Sequence, residues 1–245
     1  MDQPYLSVLI PAYNEEPTLK RVIDTVLEVP EDLEIILIDD GSNDDTWQIM
    51  LGHADGDRVR AVQHSVNRGK GAAIRTGLEH ARGHLVLIQD ADLEYSPSDF
   101  GALLEPFKAD RATVVYGSRS FSSHAAYSYW YVMGNRLVTL VTNVLYNCYL
   151  ADIETGYKVM PLEVARSLAL SARGFELEPE ITAKLLRLGH RIFEVPITYT
   201  ARSREEGKKL TAMDGIKAIL TLLRYRSWKP RPGSLNDAAT MRSSS

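Results

Sequence analysis

Runs of consecutive apolar residues alternate with helical patterns through the first half of the chain. SVLIP (Ser7 to Pro11), EIILIDD (Glu34 to Asp40), VRAVQH (Val59 to His64), HLVLIQD (His84 to Asp90) and ATVVYGS (Ala112 to Ser118) read as strands. Several are apolar throughout rather than alternating, which marks strands covered on both faces, as in a mostly parallel sheet. Between them, Glu15 to Glu28 sets Leu19, Val22, Ile23, Val26 and Leu27 on one helical face. Asp44 to Ala54, Lys70 to Ala81 and Pro97 to Lys108 are further helices, the last opened by Ser96 as cap and Pro97 in the first turn. Strand and helix in repeated alternation predict an α/β layered domain.

The second half has a different rhythm. Tyr127 to Leu150 is a long, mostly uncharged helical pattern, and Glu178 to Leu188 and Met213 to Arg226 are two more helices. RIFEVPITYT (Arg191 to Thr200) reads as a strand, with Pro196 placing it at an edge or a bulge. From Ser227 to Ser245 the small polar residues predict a tail without a core. Within the long helix, Leu137, Leu140, Val141, Val144, Leu145, Cys148 and Tyr149 share one stripe, and Thr139, Thr142, Asn143 and Asn147 lie on the other side. Tyr127, Tyr129, Trp130, Tyr131 and Met133 add aromatic bulk of the kind found at bilayer interfaces. The stripe suits packing against the α/β domain, a second copy of the chain in a homo-oligomer, or a membrane surface.

Composition narrows the class. The chain has 245 residues, 44% apolar and 24% charged, which excludes a disordered, collagenous or coiled-coil protein. A single cysteine, Cys148, excludes an intramolecular disulfide and fits a reducing compartment. The net charge of -4 argues against nucleic acid as a partner. The first residues do not read as a signal peptide, and no uncharged apolar stretch reaches the ~18 residues of a membrane span.

Carboxylates cluster where strands end: Asp39 and Asp40 after one, Asp90 and Asp92 after another. Ligands of open α/β sheets sit at the carboxyl ends of strands. Acids gathered there repel one another unless a cation joins them, and hard oxygen ligands suit Mg²⁺ or Mn²⁺ bridging a diphosphate. The plainer reading is that each Asp caps the next helix, but QDADLE sets Asp90, Asp92 and Glu94 on one side of an extended segment. PAYNEE (Pro11 to Glu16) also follows a strand, with Asn14 as a candidate helix cap. NRGKGAAIRTG (Asn67 to Gly77) brackets Lys70 with glycines before a helix, like a phosphate cradle, without the spacing of either familiar nucleotide fingerprint. His53, His64 and His190 show no metal-ligand spacing and read as ordinary surface or strand histidines.

Taken in order, PAYNEE, IDDGSNDDT, NRGKGAA and QDAD resemble the family 2 glycosyltransferases of the GT-A fold, over about the first 210 residues. The resemblance implies a Rossmann-like, mostly parallel sheet flanked by helices, with a small C-terminal extension. It implies that Pro11, Ala12, Tyr13, Glu15, Asp39 and Asp40 cup the nucleotide, that Asp90 and Ala91 lie near its diphosphate and sugar, and that Asp92 and Glu94 hold the metal. Lys70, Arg202 and Lys208 join the nucleotide contacts. GSR (Gly117 to Arg119), GNR (Gly134 to Arg136), DIETGYKVM (Asp152 to Met160), FELEPEI (Phe175 to Ile181), EVPITYTAR (Glu194 to Arg202) and EGKKL (Glu206 to Leu210) resemble the polyprenyl-phosphate branch, which includes the dolichol-phosphate mannose synthases.

The expectation is therefore an inverting transferase that moves a sugar from a nucleotide sugar to a polyprenyl phosphate. UDP is favoured as the carrier, and GDP-mannose is also admitted. Residues 1–226 would form the catalytic domain, with a nucleotide-sugar half at 1–119, an acceptor half at 120–226 and a disordered tail at 227–245. Asp90, Asp92, Arg119 and Arg136 would carry the reaction, the two arginines holding the acceptor phosphate. The protein would sit peripherally on the cytoplasmic face of a membrane, helped by Arg224, Arg226, Lys229 and Arg231. Two alternatives stand beside this: a soluble hydroxyl acceptor with a base among Asp152, Glu176 and Glu178, and a non-catalytic nucleotide-sugar-binding protein.

Overall fold

The computed structural model describes residues 3–119, 129–200 and 212–229. The first strands alternate inward contacts on both faces. In β1 (Leu6–Ala12), Leu6, Val8 and Ile10 enter one core and Leu9 the other; in β2 (Leu33–Asp39), Leu33, Ile35 and Leu37 enter the first, Ile36 and Ile38 the second. Every residue of both strands is buried, as continuous apolar runs in a doubly covered sheet require. Helices α1 (Glu16–Leu27), α2 (Thr46–His53) and α4 (Phe100–Lys108) cover one face, with Leu19, Val22, Ile23, Met50, Phe100, Leu103 and Leu104. Helices α3 (Lys70–His80), α6 (Leu162–Ser167) and α7 (Leu177–Arg187) cover the other, with Ala73, Ile74, Leu78, Leu162, Ile181 and Leu185.

The sheet has seven strands in the order β3-β2-β1-β4-β6-β5-β7. The remaining strands are β3 (Val59–Gln63), β4 (Leu85–Ile88), β5 (Val115–Ser118), β6 (Lys158–Pro161) and β7 (Phe193–Pro196). The first four neighbours run parallel, β6 runs antiparallel to β4 and β5, and β7 runs parallel to β5 at the edge, where Pro196 costs no ladder bond. The mostly parallel sheet expected from the sequence is present. The strands β6 and the short helix α6 were not foreseen. Lys158 breaks the apolar run of β6, yet it is buried, its ammonium donating to the Thr155 carbonyl and lying 4.8 Å from the Tyr116 ring centre.

A third core joins α5 (Tyr129–Tyr146) and α8 (Ala212–Tyr225) through Val138, Leu150, Ile153, Ala183, Ala218, Leu222 and Tyr225. Here the structure splits the expected stripe of α5: Val141, Leu145 and Cys148 pack against this core, while part of the polar side joins them. Thr139 and Thr142 are buried, the Thr142 hydroxyl donating to the Val138 carbonyl, and Asn143 bonds both backbone groups of Leu150. Leu137, Leu140, Val144 and Tyr149 are exposed instead, Tyr149 at 90%. Asn147, in the left-handed region at φ 51°, ends the helix four residues earlier than Leu150. Cys148 is half-buried beside Asn143.

One polar hub fastens α8 to α7. Glu180 is fully buried and accepts hydrogen bonds from Lys184 Nζ, from the Ser171 and Ala172 amides and from the Tyr225 hydroxyl. Burial opposes its charge, but the bonds from Lys184, Ala172 and Tyr225 outweigh that and hold its carboxyl below the usual range. The Lys184 ammonium lies over the Tyr225 and Trp228 rings, and Arg187 donates to the Trp228 carbonyl, so the packed chain runs past residue 226. Of the expected tail, residues 230–245 lie outside the described residues. Glu180→Leu leaves a buried ammonium without its anion and should cost about 3–5 kcal/mol in urea unfolding. Lys184→Met should cost clearly less, because Glu180 keeps its other donors.

Candidate active site

Two loops at the carboxyl ends of β1 and β2 interlock. Asn14, at φ 55°, donates its amide to Ser42 Oγ and accepts from the Asn43 amide, and the Glu15 amide donates to Thr46 Oγ1. Asn14 does not cap α1: Glu15 stands at the cap position, and Asn14 serves the neighbouring loop. The Thr18 hydroxyl reaches Glu15 Oε2 and, at 2.7 Å, the Ala91 carbonyl, joining this loop to QDADLE. Pro11 and Ala12 are buried within β1, while Tyr13 is 42% exposed.

The two aspartates after β2 are braces more than open ligand groups. Asp39 accepts from the Ser42 amide and from Gln63 Nε2. Asp40, 3% exposed, accepts from the Arg68 and Gly69 amides and pairs with His64 Nδ1 at 2.7 Å. His64 is therefore no ordinary surface histidine; it is buried and bridges Asp40 to Thr76. The same bonds correct the reading of NRGKG as a phosphate cradle, since two of its amides point at Asp40. Its glycines are steric: Gly69 has φ 90°, and a Cβ on Gly69 or Gly71 would fall 2.4 Å or 2.0 Å from the carbonyl oxygens of Arg173 and Ala172.

This clamp delivers Lys70 to the strand ends. Its ammonium lies 2.7 Å from Asp90 Oδ1 and 3.3 Å from Glu178 Oε1, with the side chain about a third exposed. Burial works against the charge, yet Asp90 and Glu178 together push the Lys70 pKa above its ordinary value. After Asp90 the chain turns through Leu93, at φ 59°, and Asp92 accepts the Glu94 amide. Glu94 Oε2 accepts the Tyr199 hydroxyl at 2.9 Å.

The loop from Ala151 to Tyr157 closes the far side. Glu194 of β7 accepts the Ala151 and Asp152 amides, and Asp152 then takes Arg119 in a two-point ion pair at 2.7 and 2.9 Å. Burial would raise the Asp152 carboxyl, but the Arg119 charge and hydrogen bonds dominate and hold it low. Arg119 also lies 5.1 Å from the Tyr199 ring centre. Gly156 donates its amide to the Tyr95 hydroxyl, and a Cβ there would stand 2.8 Å from Asp90 Oδ2, so only glycine lets the loop approach this closely. Glu154, which sequence reasoning missed although DIETGYKVM contains it, sits among these charges. Burial, then Glu178, raises its pKa to about 7, while burial lowers that of Lys158 to about 8.

The structure thus gathers Lys70, Asp90, Arg119, Asp152, Glu154, Lys158 and Glu178 at the strand ends, next to Ala91, Asp92 and Glu94. Arg136 stands apart, exposed on α5, with no contact to this cluster among the described residues. Arg202, Lys208 and Arg231 lie outside the described residues, as do Tyr127 and the side chains of Trp130 and Tyr131. No group of three or more metal-ligating side chains is assembled among the described residues. The donor chemistry still fits a hard divalent ion, since Asp92 and Glu94 offer carboxylates from one turn, and Mg²⁺ commonly takes one or two carboxylates plus substrate phosphates.

Comparison with known proteins identifies the family. The model of the family described as Glycosyl transferase family 2 matches residues 7–166. A polyprenol monophosphomannose synthase of Mycolicibacterium smegmatis is 32% identical over 209 residues, covering 80% of this chain and 77% of that protein. A dolichyl-phosphate beta-glucosyltransferase of Trichomonas vaginalis is 29% identical over 252 residues, covering 93% and 76%. Among solved structures, glucosyl-3-phosphoglycerate synthase from Mycobacterium tuberculosis with Mn²⁺, uridine diphosphate and glucosyl-3-phosphoglycerate superposes with a TM-score of 0.69 at 22% identity, over 92% of this chain and 81% of that one. This likeness supports the GT-A fold.

The raised carboxyl has a consequence for stability. An unfolded Glu154 titrates near its ordinary 4.5 and the folded one near about 7, so the folded state binds the proton more tightly. Stability from this group is complete below pH ~4.5 and is lost as pH rises through ~7. Glu154→Gln should therefore be more favourable to stability at pH 8 than at pH 4.5, as read by urea unfolding at both values.

Proposed function

Because the chain belongs to glycosyl transferase family 2 and is a glycosyltransferase, we propose that its reaction moves a hexosyl group from a nucleotide sugar, UDP-linked by preference, to a polyprenyl phosphate. Inversion at the anomeric carbon and release of the nucleoside diphosphate are part of this reading. The relatives' names speak of dolichyl phosphate, polyprenol monophosphomannose and undecaprenyl phosphate, which supports a polyprenyl-phosphate acceptor. The observation in this chain that carries the lipid acceptor is the outward apolar face of α5 and α8.

On α5, Leu137, Leu140 and Val144 are more than half exposed; on α8, Met213, Ile216, Leu220 and Leu223 are all at least half exposed. The two helices share one core, so these rows face away from it. Exposed apolar area of this extent marks an interaction surface. Arg136, Lys217 and Arg224 are exposed on the same helices, which suits anionic headgroups and the acceptor phosphate. No helix among the described residues is long and apolar enough to cross a membrane, so the contact we propose is peripheral.

A phosphate oxygen is already ionised near neutral pH, so this acceptor needs no dedicated base. That agrees with the state of two base candidates for a hydroxyl acceptor: Asp152 is tied to Arg119 and Glu178 to Lys70. The work left to the protein is orientation. Tyr13 would stack on the base, with the Asp39 and Asp40 braces holding its loop. Asp90, fixed by Lys70, would place the sugar. Arg119 would meet the acceptor phosphate at the site, and Arg136 would guide it from the membrane side. Asp92 and Glu94 would hold Mg²⁺ or Mn²⁺, which when bound supplies charge stabilisation to the departing diphosphate.

Asp92→Ala should lower transfer by roughly a hundredfold or more while leaving the far-UV circular dichroism unchanged, since it removes several kcal/mol of charge stabilisation. Organic-solvent extraction of labelled product from UDP-glucose and GDP-mannose, each with polyprenyl phosphate, measures it; full activity of the wild type in excess EDTA would remove the metal role. The wild type should float with anionic liposomes at low salt, and Leu140→Ser/Leu220→Ser should not. A wild type that stays at the bottom of the gradient would defeat the membrane assignment.

A further inference from the structure

Where the Ala151 to Tyr157 loop meets the strand ends, four carboxyls meet three cations and one acid is left over. Asp90 takes Lys70, Glu178 shares it, and Asp152 takes Arg119. Lys158 spends its ammonium on the Thr155 carbonyl and the Tyr116 ring. Glu154 is the acid that forms no ion pair among the described residues, although the charges of Lys158 and Arg119 reach it at longer range. Its Oε1 is buried with no hydrogen-bond partner, and so is the hydroxyl of Thr155 beside it, in a residue that is 0% exposed.

Buried polar atoms are almost always paired, and each orphaned one calls for an explanation, a functional role or a bound group among them. The neighbours decide the chemistry of that partner. Glu178 and Asp152 already repel negative charge at Glu154, so a phosphate oxygen is excluded there. A sugar hydroxyl fits: it donates to a carboxyl oxygen, and a threonine hydroxyl can give or take the second bond. The location fits as well, since Gly156 brings this loop within a Cβ's reach of the Asp90 carboxylate, the group that places the donor in the reading above.

We propose that Glu154, with Thr155 beside it, accepts a hydroxyl of the donor's sugar ring and so determines which nucleotide sugar the enzyme takes. This rests on the nucleotide-sugar reading of the site, not on the lipid acceptor. The test is titration calorimetry on the full chain, without acceptor, using UDP, UDP-glucose and GDP-mannose and the monodeoxy forms of each sugar. For the preferred donor, one deoxy form should bind wild type about tenfold or more weakly than its parent. In Glu154→Ala that gap should close to about twofold or less, with UDP affinity unchanged, and Glu154→Gln should keep an intermediate gap because its amide still bonds a hydroxyl. The same gap in all three proteins, no sensitive hydroxyl in the wild type, or a parallel fall in UDP affinity would each overturn the proposal. Transfer that drops equally for every donor, with a flattened pH profile, would make Glu154 a proton acceptor and overturn it too. Intact sugar discrimination without any lipid product would refute the polyprenyl acceptor and leave this inference standing.

Discussion

The site depends on one ammonium. Three strand and helix ends deliver carboxylates to a single edge of the sheet, and carboxylates at such spacing cannot all stay ionised unless a cation joins them. Lys70 does so for Asp90 and Glu178, which come from opposite halves of the chain. Its position is set from behind by Asp40, which gathers two backbone amides and His64, and by glycines that let the loop lie against the Arg173 backbone. The acidic edge, the approach of the Gly156 loop and the placement of Asp90 all presuppose that clamp.

Much of the fold was legible because its strands are buried on both faces and its first helices carry a clear apolar stripe. What escaped did so for identifiable reasons. The strand β6 has four residues and begins with a lysine, and only an aromatic ring and a carbonyl from elsewhere make that lysine tolerable in the interior. His64 and Asp40 stand 24 residues apart, so their pairing has no local signal. In α5 the stripe was visible but its direction was not. Threonines that bond their own helix can be buried at little cost, and Asn143, which binds the following loop, joins them on the inner side beside Val141 and Leu145.

The candidate residues divide along the same line. Motifs singled out Asp90, Asp92, Glu94, Lys70 and Arg119, because their order along the chain resembles a known family pattern. Their partners were not legible: Asp152 for Arg119, Tyr199 for Glu94 and Tyr95 for Gly156 depend on contacts across the sheet. Glu154 lay in a recognised motif, but its significance is the absence of a partner, which no spacing along a sequence can display.

The antiparallel strand β6 governs how this chain must emerge from a ribosome. β5 is made well before β6 yet lies beyond it in the sheet, so it has no neighbour to pair with until residues Lys158–Pro161 arrive. During the roughly seventy residues of synthesis between β4 and β6, the apolar β4 (Leu85–Ile88) keeps an open edge of the kind that invites pairing with another chain. A cut at residue 119 would make that nascent state permanent. Residues 1–119 are therefore not a separable module: their fourth strand is completed by a segment made roughly seventy residues later.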